Sequence, residues 1–482
     1  MGVIVVSVVL AVIVGRVMRD RAVMAGSVAV VRGHRHGAAI VAEPATVPAL
    51  DSTPMTTDTA TGPADDDTLV ASLRDLGPDG RALFVLRTMR MFGYGFLAVV
   101  LVLYLAAAGL DPIGIGAVLT LTLVGDTVVS LWLTTHADRI GRKRVLMVGS
   151  LLMVIAGVVF AATNWLPLLI LAGIVGVISP TGNEVGPFLA VEQAALTEVI
   201  PGRRRTATFA WYNLVGYVAT ATGALGAGLL GQALITSGFP AVDAYRAVVI
   251  GYAVIGLAMA VLATRLGSSI EVSAPVASDD GIARRLGLGR SKSVVLRLSA
   301  LFSIDAFAGG FIPQSLMAYW FSLRFGVSPA ALGAIFFGAN LLAAVSSLSA
   351  ARIAKRIGLI ETMVFTHLPS NVLLILVPLM PNLPLAVAIL LLRFSLSQMD
   401  VPTRQSYVMA VVQPDERSAA AGVTGIARTV GASVSPSVSS VLVASAGTAA
   451  IPFFLAGGLK ILYDVLVYRD FRSVRPPEER QS

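Results

Sequence analysis

From Leu83 onward the chain is a succession of apolar runs of about 20 residues separated by short polar segments, and a run of about that length spans the hydrocarbon core of a bilayer as an α-helix. The runs fall at 83–107, 113–134, 145–163, 167–190, 206–233, 243–264, 294–322, 329–350, 358–380, 383–411, 418–444 and 449–468. They predict an all-α membrane protein with twelve transmembrane helices. Of 482 residues, 13% are charged and 56% hydrophobic, against about 25% charged in an ordinary soluble domain. The excess apolar surface belongs in lipid.

Charge placement gives the topology. The net charge of +8 does not point to nucleic acid, because the Lys and Arg residues fall in the gaps between apolar runs. Alternate gaps hold Arg139, Arg142, Lys143 and Arg144; Arg203 to Arg205; Arg265 through Lys292; Arg352, Lys355 and Arg356; and Arg417, while the other set holds little beyond Arg324. Basic loops face the cytoplasm, so both termini are expected there, in a multi-pass protein of the plasma (inner) membrane.

Residues 1–80 differ from the rest. The apolar stretch 3–14 is too short to span, and no basic segment precedes it as in a signal peptide. Residues 51–68 are polar, acidic and rich in turn formers. Translation starting at Met55 would leave 1–54 outside the native protein. The expected organisation is a poorly structured extension (1–80), a six-helix bundle (81–264), a cytoplasmic linker (265–293), a second six-helix bundle (294–468) and a cytoplasmic tail (469–482).

The two halves read as a repeat. Gly95-Phe96 aligns with Gly310-Phe311, Tyr104 with Tyr319 and Arg90 with Asp305, all at an offset of 215 (310 − 95). Gly141 aligns with Gly358, Glu184-Val185 with Asp400-Val401, and Pro201-x-x-Arg204 with Pro414-x-x-Arg417, at offsets of 217, 216 and 213. Markers in one order at a nearly constant offset favour duplication.

Between the second and third runs stands Ala137-Asp138-Arg139-Ile140-Gly141-Arg142-Lys143-Arg144. It resembles the signature loop of the major facilitator superfamily, Gly-x-Leu-Ala-Asp-Arg-x-Gly-Arg-Arg/Lys, with Thr134 and His136 replacing the leading Gly and Leu. Arg352-Ile-Ala-Lys-Arg-Ile-Gly358 looks like a degenerate second copy without the aspartate. The resemblance covers about 83–470 and implies two pseudo-symmetric six-helix bundles, a central cavity lined by helices one, four, seven and ten, and a gating role for Asp138, Arg139, Gly141, Arg142 and Lys143. Physically, a carboxylate at Asp138 can pair with arginines and a nearby helix N-terminus as a latch. The antiporter motif of helix five is absent: Gly216, Gly223, Gly226 and Gly228 lack its Gly-Pro ending and read as a close-packing face.

Ionisable residues inside the membrane cost about 2.5–3.5 kcal/mol each on insertion scales and normally face a cavity or a partner. Helix one carries Arg87 and Arg90, helix four Glu184 and Glu192, helix seven Asp305, and helix ten Arg393, Asp400 and Arg404. Asp126 lies in helix two and Arg428 in helix eleven. Lys460 and Asp464, at i and i+4 in helix twelve, are expected to pair with each other. Helices four and ten are interrupted by Pro180, Pro187 and Pro402, and TGNEVGP (181–187) is too polar to face lipid. Asp126, Glu184, Asp305 and Asp400 are candidates for proton binding, with Arg90 and Asp305 as a switching pair; static ion pairs that fix helix packing are the competing explanation. Trp211-Tyr212 and Tyr319-Trp320 read as interfacial anchors before substrate-stacking groups, and His367 as a packed or hydrogen-bonded histidine.

The absence of cysteine and the presence of four histidines leave no basis for a metal or other cofactor. No nucleotide-binding loop and no nucleophile motif appears, so neither ATP coupling nor an enzyme is expected. The expectation is a monomeric, proton-coupled, rocker-switch transporter of a small organic solute. Export is favoured by family analogy, with uptake of an anionic metabolite as the alternative and a non-transporting receptor as the reading from a different class. Asp305→Asn and Glu184→Gln are expected to impair coupling while leaving expression intact.

Overall fold

A computed structural model describes residues 76–184, 186–200, 205–271, 291–413 and 416–474. The expected extension, the start at Met55, and most of the linker and tail lie outside the described residues. The chain divides into Met1–Arg74 and Asp75–Ser482, and the described residues all belong to the second unit.

Fifteen α-helices and no strand occur among the described residues. They are α1 (Pro78–Ala107), α2 (Pro112–Ile140), α3 (Arg142–Ala162), α4 (Leu166–Val175), α5 (Phe188–Val199), α6 (Arg205–Thr236), α7 (Ala241–Thr264), α8 (Lys292–Gly310), α9 (Gln314–Phe325), α10 (Pro329–Ile357), α11 (Leu359–Leu376), α12 (Leu383–Leu396), α13 (Asp400–Val411), α14 (Arg417–Ala444) and α15 (Ile451–Phe471). Nine crossings are single helices, and three are broken: the fourth is α4 with α5, the seventh α8 with α9, the tenth α12 with α13. Eleven stretches are long and apolar enough to cross a membrane. The fourth crossing escapes that count because α4 has only 10 residues before the chain unwinds. Twelve crossings therefore stand, and the seventh carries a break at Phe311–Pro313 that was not expected.

Helix ends repeat between the halves. Asp111 caps α2 by accepting from the Gly114 N–H at 2.8 Å, and Ser328 caps α10 by accepting from Ala331 at 3.3 Å, each with Pro at the next position. The same two helices stop at Gly141 and Gly358, whose φ angles of +101° and +95° are open to glycine and strained for any other residue.

Packing repeats as well. In the first six crossings α1 lies on α6 and α3 on α7; in the second six α8 lies on α14 and α11 on α15. Between the halves α6 meets α10 and α2 meets α14, contacts that the pseudo-twofold exchanges. Gly95 sits against the Thr220 backbone and Gly310 against that of Ala432, so a side chain at either would strike a carbonyl. Gly223 is likewise pressed on Phe92 and Gly228 on Pro329 and Gly333. The small-residue face of crossing five thus serves close packing, as expected where lipid removes the hydrophobic drive between helices.

The apolar window of α1 is 83% enclosed by protein, whereas those of α3, α7 and α15 are 44% enclosed; α1 is central and the others present a face outward. Exposed Val128, Trp132, Ile155, Val158, Leu257 and Val345 form the kind of surface that lipid, not water, solvates. The halves touch at the end of the bundle away from Pro78 and Phe471. There Ser437 Oγ lies 2.6 Å from Thr120 Oγ1 and donates to Gly116 O at 3.2 Å, while Gly228 abuts Pro329.

Candidate functional site

Most of the intramembrane charges form two separate clusters, one in each half. In the first, Arg87 and Arg90 sit three residues apart on one face of α1. Arg87 binds Glu184 at 2.7 Å, donates to the Tyr212 carbonyl at 2.9 Å and lies over the Tyr212 ring. Arg90 reaches Glu184 at 2.6 Å and Glu192 at 2.9 Å, and the Tyr212 hydroxyl donates to Glu192. Two cations face two carboxylates, with Arg90 and Glu192 fully buried. Gly216 makes room for this, since a Cβ there would come within 2.8 Å of the Arg87 guanidinium.

Asp126 stands apart from these ions. Its carboxylate accepts from the Gly186 N–H at 2.6 Å and from Ser130 at 3.1 Å, and so holds the unwound segment of crossing four, where Gly182 and Gly186 have φ of +70° and +81°. A carboxylate satisfying freed backbone is what allows irregular chain at membrane depth.

Asp305 is the hub of the second cluster. It contacts Lys460, Arg428 at 3.0 Å, Arg404 at 3.6 Å and His367 at 3.9 Å. Arg404 also binds Asp400 at 2.6 Å. His367 meets Asp464 at 2.8 Å, and the Asn371 amide donates to the same carboxylate at 2.9 Å. Two expectations are thereby corrected. Lys460 and Asp464 do not pair with each other, because each finds a buried partner on a neighbouring helix. Arg90 and Asp305 are not a pair either: they occupy equivalent places in different halves, each surrounded by its own counter-ions. Arg428, from crossing eleven, belongs to the Asp305 cluster. His367 is hydrogen-bonded, as expected.

A cavity of about 150 Å³ lies where the three broken crossings converge. Thr181 and Asn183 come from the break in crossing four, Pro313 and Gln314 from that in crossing seven, Gln398 from that in crossing ten; Tyr217, Met317, Phe336, Asn340, Arg393, Phe394 and Lys460 complete much of the wall. The first two breaks are tied directly, Ser315 N donating to Pro180 O at 3.1 Å. Of the residues singled out from the sequence for the cavity or coupling, Arg393 lines it. Arg87, Arg90, Asp126, Glu184, Glu192, Asp305, Asp400 and Arg404 are not among its lining residues and belong to the clusters or, for Asp126, hold the unwound chain. Gln314, Asn340, Tyr217 and Gln398 were missed; for the three amides, an uncharged polar side chain inside an apolar run was the available signal. Trp320 packs on Phe453 with ring centroids 4.7 Å apart, and neither it nor Trp211 lines the cavity.

At the other candidate site, the loop from Ala137 to Arg144, the acid on the N-terminus of α3 is Glu271. It accepts from the Arg142 N–H at 2.7 Å and the Lys143 N–H at 3.1 Å, a favourable place for negative charge. Arg142 reaches Ile270 O at 3.0 Å, and Lys143 reaches Thr264 O and Leu266 O at 2.7 Å each. Arg139 is exposed. The Asp138 side chain lies outside the described residues.

A family model described as Major Facilitator Superfamily matches residues 83–436 and 299–482. An uncharacterized membrane protein of Saccharomyces cerevisiae is 30% identical over 421 residues, 82% of this chain and 94% of its own. Among solved structures, a bacterial homolog of the human lysosomal transporter Spinster, inward-facing and unoccupied, aligns with a TM-score of 0.62 at 14% identity, covering 85% of this chain and 99% of its own. The nucleoside transporter NupG aligns with a TM-score of 0.61 at 14% identity, over 81% of this chain and 98% of its own. These structural likenesses concern the fold.

Proposed function

The chain belongs to the major facilitator superfamily, and from that premise we propose that it is a proton-coupled secondary transporter of a small organic solute, working by rocker-switch alternating access. The observation that carries this reading is the cavity at the meeting point of three broken crossings, since unwound backbone in a bilayer is retained where it lines a solute path.

Coupling is assigned to Asp305. Lys460 contacts Asp305 and also forms part of the cavity wall. A conformational change that parts Asp305 from its cations lets it take a proton and frees Lys460 toward the cavity, and the reverse change draws Lys460 back, so protonation and solute contact share one side chain. Arg87, Arg90, Glu184 and Glu192 balance one another and serve as the fixed ionic core of the first half. With both termini cytoplasmic, as the basic loops favour, the close contacts at Thr120–Ser437 and Gly228–Pro329 shut the outer side, and the structure represents an inward-facing state. The protein then acts as a monomer in the plasma membrane, with export the favoured direction. Asp138 and Glu271 act in gating at the cytoplasmic end.

Uptake of an anionic metabolite is the second reading, favoured by one observation: Arg393 lines the cavity and has no ion pair among the described residues. Uptake into proteoliposomes of a panel of small solutes, with and without an imposed pH gradient, tests the proposal. Accumulation that follows the gradient and collapses with a protonophore supports it. Flux indifferent to both removes proton coupling, and no flux of any solute removes transport.

A further inference from the structure

The charges around the cavity do not cancel. Beside the cavity, Asp305, Asp400 and Asp464 are matched by Lys460, Arg428 and Arg404. Arg393 is an additional cation. Among the described residues it has no carboxylate partner, its Nε is buried without a hydrogen bond, and it forms part of the cavity wall. A half-buried guanidinium over the Phe394 ring, with its Nε enclosed and no carboxylate of the described residues at ion-pair distance, carries a desolvation cost, and such a cost persists in a protein where function requires it.

A second donor is unsatisfied at the same place. Gln314 accepts from the Asn340 amide through Oε1 at 3.2 Å, which fixes the orientation of its own amide. Its Nε2 is buried, lacks a partner, and belongs to the same wall. Lys460 adds a further cationic donor. The side chains that carry these two unpartnered donors, together with Lys460, therefore line one space of about 150 Å³, large enough for a benzene-sized molecule. Phe336, Phe394 and Met317 supply apolar wall beside them.

We propose that the cavity binds a small organic anion, a carboxylate or an oxyanion of similar charge on a compact apolar body, with Arg393 and Gln314 as the donors to its oxygens and Lys460 as the cation shared with Asp305. This rests on the cavity being the solute site. Charge-assisted hydrogen bonds from a guanidinium to a carboxylate or sulfonate are the strong class, and a cation or neutral solute would leave Arg393 uncompensated.

Thermal unfolding of the full chain in detergent tests the proposal, with benzoate and benzenesulfonate as probes and benzamide and benzenesulfonamide as their neutral counterparts. The anions raise the melting temperature and the neutral pair does not. Arg393→Gln weakens anion binding by about tenfold or more, Arg393→Lys restores part of it, and Gln314→Leu gives a smaller loss. Without ligand, Arg393→Gln melts no lower than the parent, because it removes an unpaired charge; a structural arginine would melt lower. Equal stabilisation by the neutral pair, stabilisation by neither anion, or anion binding that survives Arg393→Gln overturns the proposal. Proteoliposome flux separates it from the transport reading. Flux of neutral solutes that Arg393→Gln leaves intact sinks the anion site alone, whereas Arg393-dependent anion binding without flux of any solute sinks transport alone.

Discussion

Lys460, on the last crossing, reaches the Asp305 carboxylate on the seventh and at the same time forms part of the cavity wall. The contact joins the second charge cluster to the space where a solute would sit. Asp305 holds further cations in Arg428 and Arg404, and its removal therefore differs from the removal of Lys460.

Asp305→Asn strips the hub from three cations, and loss of one partner from a buried ionic group costs about 3–5 kcal/mol. Lys460→Met leaves Asp305 paired with Arg428 and Arg404, so it costs less. The expectation of intact expression for Asp305→Asn is revised accordingly. Thermal unfolding of both variants and of the double mutant checks this: Asp305→Asn melts lowest, and adding Lys460→Met recovers part of the loss. Equal melting of the two single variants would contradict the hub.

In the first half, Glu192 is fully buried while Glu184 is 18% exposed. Glu192→Gln leaves Arg90 with one counter-ion and takes an ionised acceptor from the Tyr212 hydroxyl. Its cost is about 3 kcal/mol or more. Glu184→Gln costs less, about 1–2 kcal/mol, since water reaches that carboxylate, Glu192 still holds Arg90, and Arg87 keeps the Tyr212 carbonyl and ring. Denaturation of the two variants side by side measures the order, and a reversed order would show that Glu184 is the structural anchor.

The twelve crossings were legible because each is an apolar run with its own length, a local property that tertiary structure seldom overrides. The break in crossing four was legible for a related reason: Thr181 to Pro187 is too polar for lipid. The break in crossing seven was hidden, since Gly309-Gly310-Phe311-Ile312 is as apolar as its surroundings and Pro313 alone marks it. Ion pairing was not legible. Arg90 and Asp305 hold equivalent repeat positions, but a pseudo-twofold carries equivalent residues to opposite halves, so equivalence predicts similar roles and not contact. Lys460 and Asp464 share a helix face, yet Asp305, His367 and Asn371 approach them from other helices, and nothing local encodes that. Gln314 and Asn340 carry no charge and so drew no notice within their runs.

Gly141 and Gly358 end α2 and α10 at φ of +101° and +95°. Alanine at either position costs about 1–3 kcal/mol of backbone strain. Glu271→Ala removes the acceptor from the Arg142 and Lys143 amides and costs about 1 kcal/mol, the site being partly solvated. If gating passes through this loop, Glu271→Ala also changes the rate of solute exchange, which counterflow in proteoliposomes reads. An unchanged rate with lowered stability confines Glu271 to a structural role.

Closure of the halves at the end away from the described termini is the conformational claim on which alternating access depends. The side-chain oxygens of Thr120 and Ser437 meet there at 2.6 Å, and the chain has no cysteine, so Thr120→Cys with Ser437→Cys forms the one possible intramolecular disulfide without background. Solute flux in proteoliposomes carrying this pair, measured before oxidation, after it and again after reduction, tests the claim most directly. The account predicts that oxidation stops flux and reduction restores it; flux that continues through the cross-linked protein would contradict it.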